Sequence, residues 1–170
     1  MNVLDHYKNM EVEAICGDYA YKSVPAAVAM THVSGDFNLG SVLRNANFFG
    51  FREAFYIGGS KRWDKRAAVG TYHYTPLTHF KTIQEFFTYI QNRYTPIALE
   101  NNIKFKSENL FEFKWPNSPC LIVGEETLGL PDEVLTKCQN IVTIPAYGTV
   151  RSINVSTAAG IAMADFRNKK

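Results

Sequence analysis

The chain has 170 residues, 46% of them apolar and 20% charged, with a net charge of +2. That is enough for one self-sufficient core, and it excludes a disordered or fibrous protein. The small net charge also excludes a surface that holds nucleic acid by bulk positive charge alone. The three cysteines (Cys16, Cys120, Cys138) and four histidines (His6, His32, His73, His79) lie at no metal-ligand spacing, so we expect no metal and reduced, mostly buried thiols. No apolar run reaches membrane-spanning length, and the opening MNVLDHYKNMEVEA carries acids where a signal peptide has bases. A cytoplasmic protein with no membrane partner is the expectation.

In chain order, residues 1–25 read as a short N-terminal lead-in, helical on the spacing of Val3, Leu4, Tyr7 and Met10. Ala26–Thr31 is a compact apolar run of the kind buried on both faces of a parallel sheet. A polar loop then leads to a helix over Leu39–Phe49, with Val42, Leu43, Ala46 and Phe49 on one stripe and Gly50 closing it. Ala54–Ile57 is a second strand. Residues 60–76 form one long, basic and turn-rich loop, the kind of segment that carries function. Ile83, Phe86, Phe87 and Ile90 mark a helix at i, i+3, i+4, i+7.

Pro96–Leu99 is a third strand, running into Glu100 and Asn101. Residues 103–115 read as loop with one short extended piece. Cys120–Val123 is a fourth strand, Pro131 opens a short helix at its first position, and Ile141–Ile144 is a fifth strand stopped by Pro145. Ser152 and Asn154 bracket the entry to a last helix whose inward positions are Val155, Ala158, Ala159, Ala162 and Phe166. Short unbroken apolar strands alternating with helices predict one α/β domain built on a parallel sheet, spanning residues 1–170.

Ligands of such sheets bind beyond the carboxyl ends of the strands. The polar residues of this chain gather there: Asn38 and Arg44 after the first strand, Glu100 and Asn101 after the third, Gly124, Glu126 and Gly129 after the fourth, Ser152 and Asn154 after the fifth. No G-x-G-x-x-G follows the first strand and no G-x-x-x-x-G-K-[ST] occurs, which argues against a dinucleotide site and a P-loop. No Ser–His–Asp arrangement is visible either.

Three segments together carry a family resemblance. Asn38-Leu39-Gly40-Ser41-Val42-Leu43-Arg44-Asn45-Ala46, followed by Phe49-Gly50, is similar to the first motif of the SpoU (TrmH) RNA 2′-O-ribose methyltransferases of the SPOUT superfamily, N-x-G-x-x-x-R-x-A. Gly124-Glu125-Glu126-Thr127-Leu128-Gly129 resembles the second, G-x-E-x-x-G. Ile144-Pro145 through Ser152-Ile153-Asn154-Val155-Ser156 resembles the third, which ends in S-x-N-V-S. One such motif is weak; three in order and correctly spaced are specific.

The resemblance implies a SPOUT fold in which the C-terminal segment makes a deep trefoil knot, an exception to the usual unknotted topology. It also implies S-adenosyl-L-methionine as cofactor, a homodimer, and methyl transfer to an RNA ribose 2′-hydroxyl. By the same resemblance the catalytic set is Arg44, Asn38, Glu126, Ser152 and Asn154, with Asn38 orienting Arg44. A guanidinium is a poor base because it stays protonated, so electrostatic help to the forming alkoxide is the physically preferred role of Arg44. The cofactor positions are Leu99, Glu100, Gly124, Ile144 and Ile153. Competing readings remain at this point: a loop cap for Asn38, an ordinary acid for Glu126, and core packing for the apolar cofactor positions.

Lys61, Arg62, Trp63, Lys65 and Arg66 are the RNA-contact set, cations for phosphates and an indole for stacking, with His73 and Tyr74 weaker members. A merely solvated charge run is the alternative. Because little sequence precedes the first strand, substrate choice falls to the catalytic domain, its dimer surface or an accessory protein. By analogy tRNA is favoured over rRNA. The rival functions are a catalytically idle RNA-binding relative and a base-methylating knotted enzyme.

Overall fold

The computed structural model describes residues 3–31, 36–59, 63–101, 104–125 and 128–170. The elements are α1 (Val12–Lys22), β1 (Val24–Thr31), α2 (Asp36–Phe48), β2 (Phe51–Ile57), β3 (Leu77–Phe80), α3 (Ile83–Ile90), β4 (Thr95–Leu99), β5 (Glu108–Asn109), β6 (Pro119–Val123), α4 (Asp132–Lys137), β7 (Asn140–Thr143) and α5 (Val155–Asn168). The seven strands lie in the order β3-β2-β1-β6-β4-β7-β5, and all the strand pairs run parallel. β1 is the spine, with every residue from Ala26 onward buried.

Because side chains alternate along a strand, the apolar runs feed two separate cores. Val28, Met30, Tyr56, Leu121 and Val123 pack under α2 and α5, against Leu43, Ala46, Ala159, Met163 and Phe166. Ala27, Ala29, Phe55 and Ile122 pack on the other face against Phe86 and Ile90 of α3 and Val134 and Leu135 of α4. Helices on both faces explain why the strands carry no exposed polar side.

Several boundaries differ from the sequence expectation. The lead-in is a 3-10 turn over Asp5–Tyr7 followed by α1, not one helix. α2 starts at Asp36, so Asn38 sits in its first turn rather than in the loop before it. Pro131 is the residue that caps α4, with Asp132 its first helical residue. β3 went unread because Leu77–Phe80 is half-buried throughout and follows a run of turns, and it has no apolar run to mark it.

The thiols are less buried than the sequence reading expects, since Cys16, like Cys138, is only half-buried. Cys120 is buried and Cys138 half-buried, and burial pushes the Cys120 thiol well up and that of Cys138 up to about 12.

Candidate active site

Two helices far apart in the sequence, α2 and α5, are locked together on one face of the sheet. Asn45 of α2 donates through Nδ2 to the Ser156 carbonyl of α5 at 2.7 Å. Gly160 permits the approach, since a Cβ there would lie 3.1 Å from that same Nδ2. Asn154 is the N-cap of α5: its Oδ1 accepts from the Ser156 and Thr157 amides at 2.9 and 3.3 Å and from the Ser156 hydroxyl at 2.6 Å. Its Nδ2 remains as a donor and reaches Asn38 Oδ1 at 3.0 Å. One side chain thus caps a helix and joins the first motif to the third.

Arg44 is exposed on α2. It lines a cavity of about 1120 Å³ whose walls include Ser41, Phe48, Ser156, Thr157 and Gly160. No carboxylate among the described residues pairs with it, and the salt bridges of the chain lie elsewhere. Among the described residues the Arg44 guanidinium is therefore open to an anionic group.

The loops after β4 and β6 form the second half of the site. Gly124 is buried and packed so tightly on the opposing strand of its loop that a Cβ would lie 2.3 Å from the Gly129 carbonyl carbon. Gly129 itself has φ +68°, a left-handed backbone that suits glycine. Glu100 braces this turn: its carboxylate accepts from the Leu130 amide at 2.8 Å and from the Asn101 amide at 2.8 Å. The Asn101 carboxamide in turn donates to the Arg151 carbonyl of the C-terminal loop. Three separate loops are therefore tied by two side chains.

Around this knot of contacts Leu99 is nearly buried, Ile144 half-buried and Ile153 exposed. Leu128, Tyr147 and Val150 are also large, apolar and exposed here. Ser152 is exposed two residues before the cap. Glu126 lies outside the described residues.

The described part of the basic loop, from Trp63 onward, is docked on the domain. Gly40 of α2 lets it dock: a Cβ there would lie 2.9 Å from the Ala67 Cβ and 2.9 Å from the Ala68 amide nitrogen. Trp63 is half-buried against the core, and the Lys65 ammonium sits 4.9 Å from the centre of the Tyr72 ring. Arg66 is committed to Asp64, whose carboxylate accepts from its Nε at 2.9 Å and from its backbone amide at 2.9 Å. The guanidinium holds the Asp64 carboxyl below the usual range. Lys61 and Arg62 lie outside the described residues.

Asn45, within the first motif, and Asn101, at a strand end, are named in the sequence reading but given no role there in building the site. Asn45 had a signal in adjoining Arg44 on the same helix, whereas Asn101 had only its place at a strand end.

The sequence pattern of the SpoU rRNA Methylase family matches residues 25–164. The chain is 23% identical over 158 residues to the tRNA (guanosine(18)-2′-O)-methyltransferase of Escherichia coli K12, covering 92% of this chain and 69% of that protein. Its fold superposes with a TM-score of 0.77 on the SpoU methyltransferase AviRb of Streptomyces viridochromogenes in complex with AdoMet, at 21% identity over 84% of this chain and 57% of that one. A structure described as giving insights into the 2-OH methylation of C/U34 on tRNA matches with a TM-score of 0.75 at 23% identity, over 85% of this chain and 95% of that one. With the family pattern running through both interlocked helices and all the loops between them, the chain belongs to the SpoU rRNA methylase family.

Proposed function

We propose that this chain transfers the methyl group of S-adenosyl-L-methionine to a ribose 2′-hydroxyl of tRNA, acting as a homodimer. The observation that carries the reading is the pairing of Asn38 with Asn154 beside an exposed Arg44 that has no carboxylate partner among the described residues. That arrangement joins the first and third motifs and presents a cation where an alkoxide would form.

The residues fit the cofactor. Leu99, Ile144 and Ile153, with the exposed Leu128 and Val150, offer apolar walls for an adenine. Gly124 and Gly129 keep the loop between them narrow and free of side chains. When bound, the cofactor supplies an electrophilic methyl on sulfur. The chain supplies position and charge: Arg44 holds the ribose hydroxyl and lowers the cost of its developing negative charge. Asn38 and Asn154 fix the helix that carries Arg44, with Ser152 just before the cap; a role for Glu126 rests on the motif alone.

The choice of tRNA follows the near-full-length match to the structure concerned with tRNA C/U34 and the E. coli tRNA enzyme. The dimer is supported by Phe48, 81% exposed, and Leu4, 66% exposed, which line the Arg44 cavity where a second copy would cover them. The trefoil crossing of the C-terminal segment belongs to the same proposal.

The test is methyl transfer from labelled S-adenosyl-L-methionine to total tRNA and, separately, total rRNA, followed by nucleoside mass spectrometry. A 2′-O-methylnucleoside from the tRNA pool is expected. A product from rRNA alone overturns the substrate choice, and a base-methylated nucleoside overturns the ribose chemistry.

A further inference from the structure

A second cavity, of about 560 Å³, opens between α1, the 63–76 segment and the first residues of β2 and β3. Its size is that of a small-ligand site. Trp63, Tyr72, His73 and Tyr74 form aromatic walls, and Arg52 and Lys65 bring two cations; no acid lines it. Tyr72 and His73 stand 4.2 Å apart with their planes inclined by 42°, and Trp63 meets Tyr72 edge-on at 6.0 Å. The wall is anchored, because Cys16 of α1 donates to the His73 carbonyl at 3.2 Å.

The cations are available. Arg52 and Lys65 are exposed and in no ion pair among the described residues, and the Lys65 ammonium lies over the Tyr72 ring. Aromatic faces beside unpaired cations and no carboxylate suit a ligand with a flat base and a phosphate. The cavity shares Tyr19 and Tyr74 with the larger one that Arg44 lines, so the two sites are contiguous. Burial pushes the Tyr19 phenol up to about 12, so this common wall is neutral.

We infer that this cavity is a nucleotide subsite that seats one unpaired residue of the RNA substrate, its base against Tyr72, His73 and Trp63 and its phosphate on Arg52 and Lys65. The inference rests on the RNA-methyltransferase reading for the identity of the polymer. It adds a place where the substrate is held away from the methylated ribose, and it gives the basic loop a defined contact rather than a diffuse one. A modestly charged chain gains affinity this way without a large basic surface.

The experiment is filter binding of labelled, unfractionated tRNA to wild type and to the Arg52→Ala/Lys65→Ala double variant across a salt series. Both side chains are exposed, so the fold tolerates their loss. Removing two phosphate contacts should weaken binding about tenfold and flatten the slope of log K against log salt by about 1.5. Tyr72→Ala should weaken binding about tenfold as well, and Tyr72→Phe, which keeps the ring, should not.

Wild-type affinity and slope in the double variant overturn the subsite, whatever the methyl-transfer assay reports. Absence of methyl transfer by the wild type, with the binding losses as expected, overturns the catalytic reading and leaves the subsite standing. Micromolar binding of 5′-AMP or 5′-UMP that tRNA does not displace identifies a free-nucleotide site and overturns the RNA assignment.

Discussion

Asn154 Nδ2 donates to Asn38 Oδ1 at 3.0 Å across 116 positions of chain, while the same side chain's oxygen caps α5. Its two ends therefore do separable work. Asn154→Asp keeps an acceptor for the Ser156 and Thr157 amides but removes the donor and sets a carboxylate against Asn38. Asn154→Ala removes both functions. We expect the Asp variant to stay within about 0.5 kcal/mol of wild type and the Ala variant to lose about 1 kcal/mol or more. Methyl transfer should fall in both. Urea melts alongside turnover check this, and full activity in the Asp variant would show the Asn38 contact to be idle.

Arg44→Ala should lower turnover about 10²- to 10³-fold, the scale of removing one stabiliser of a developing oxyanion. Cofactor affinity by calorimetry should stay within about twofold, because Arg44 is not among the loop residues assigned to it. Arg44→Lys keeps a charge but not the planar fork and should recover only part of the loss. Unchanged turnover in Arg44→Ala would remove this residue from the chemistry.

Gly124→Ala places a methyl group 2.3 Å from the Gly129 carbonyl carbon and 2.6 Å from the Leu130 amide nitrogen, both backbone atoms. The turn must open to admit it, at a cost of about 1–3 kcal/mol. Because Glu100 is tied to the same turn, cofactor binding should weaken together with thermal stability. Gly17→Ala is the control, since a Cβ there meets nothing within 4 Å. Equal melting temperatures for the two variants would contradict the packing described.

Alkaline pH should unfold the protein through buried acids. The Cys138 thiol is raised from 9.0 to about 12 and the Tyr19 phenol from 10.0 to about 12, both by burial. A raised folded-state value means that the native chain holds the proton more tightly than the unfolded one. This contribution to stability is complete below about pH 9 and is lost as the pH rises toward about 12. Urea midpoints measured from about pH 8 to about pH 11.5 should fall across that window, and Cys138→Ala should flatten its lower part.

The two-faced core was legible because unbroken runs such as Ala26–Thr31 have no polar side to expose. At the edges of the sheet β3 was not, and β5 was legible only as a short extended piece within residues 103–115. β3 and the two-residue β5 are set by neighbours, through the pairings of Ala54 with Leu77 and of Glu108 with Val142, rather than by a local apolar pattern. At the site, motif spacing selected Asn38, Arg44 and Asn154; the fold pairs Asn38 with Asn154, and Arg44 lines a cavity with Ser156 and Thr157. It placed Glu100 among the cofactor residues without showing that its carboxylate is taken up by the Leu130 and Asn101 amides. Local sequence carries periodicity and caps; it does not carry which loop a side chain will reach.

The seat of Ala67 and Ala68 on Gly40 has a mechanical meaning. The segment with Trp63 and Lys65 and the helix with Arg44 are in backbone-close contact there, so a bulkier side chain at position 40 would push them apart. For an engineer, replacing residues 63–76 with a longer or differently charged loop preserves the helix only if small side chains are kept at positions 67 and 68.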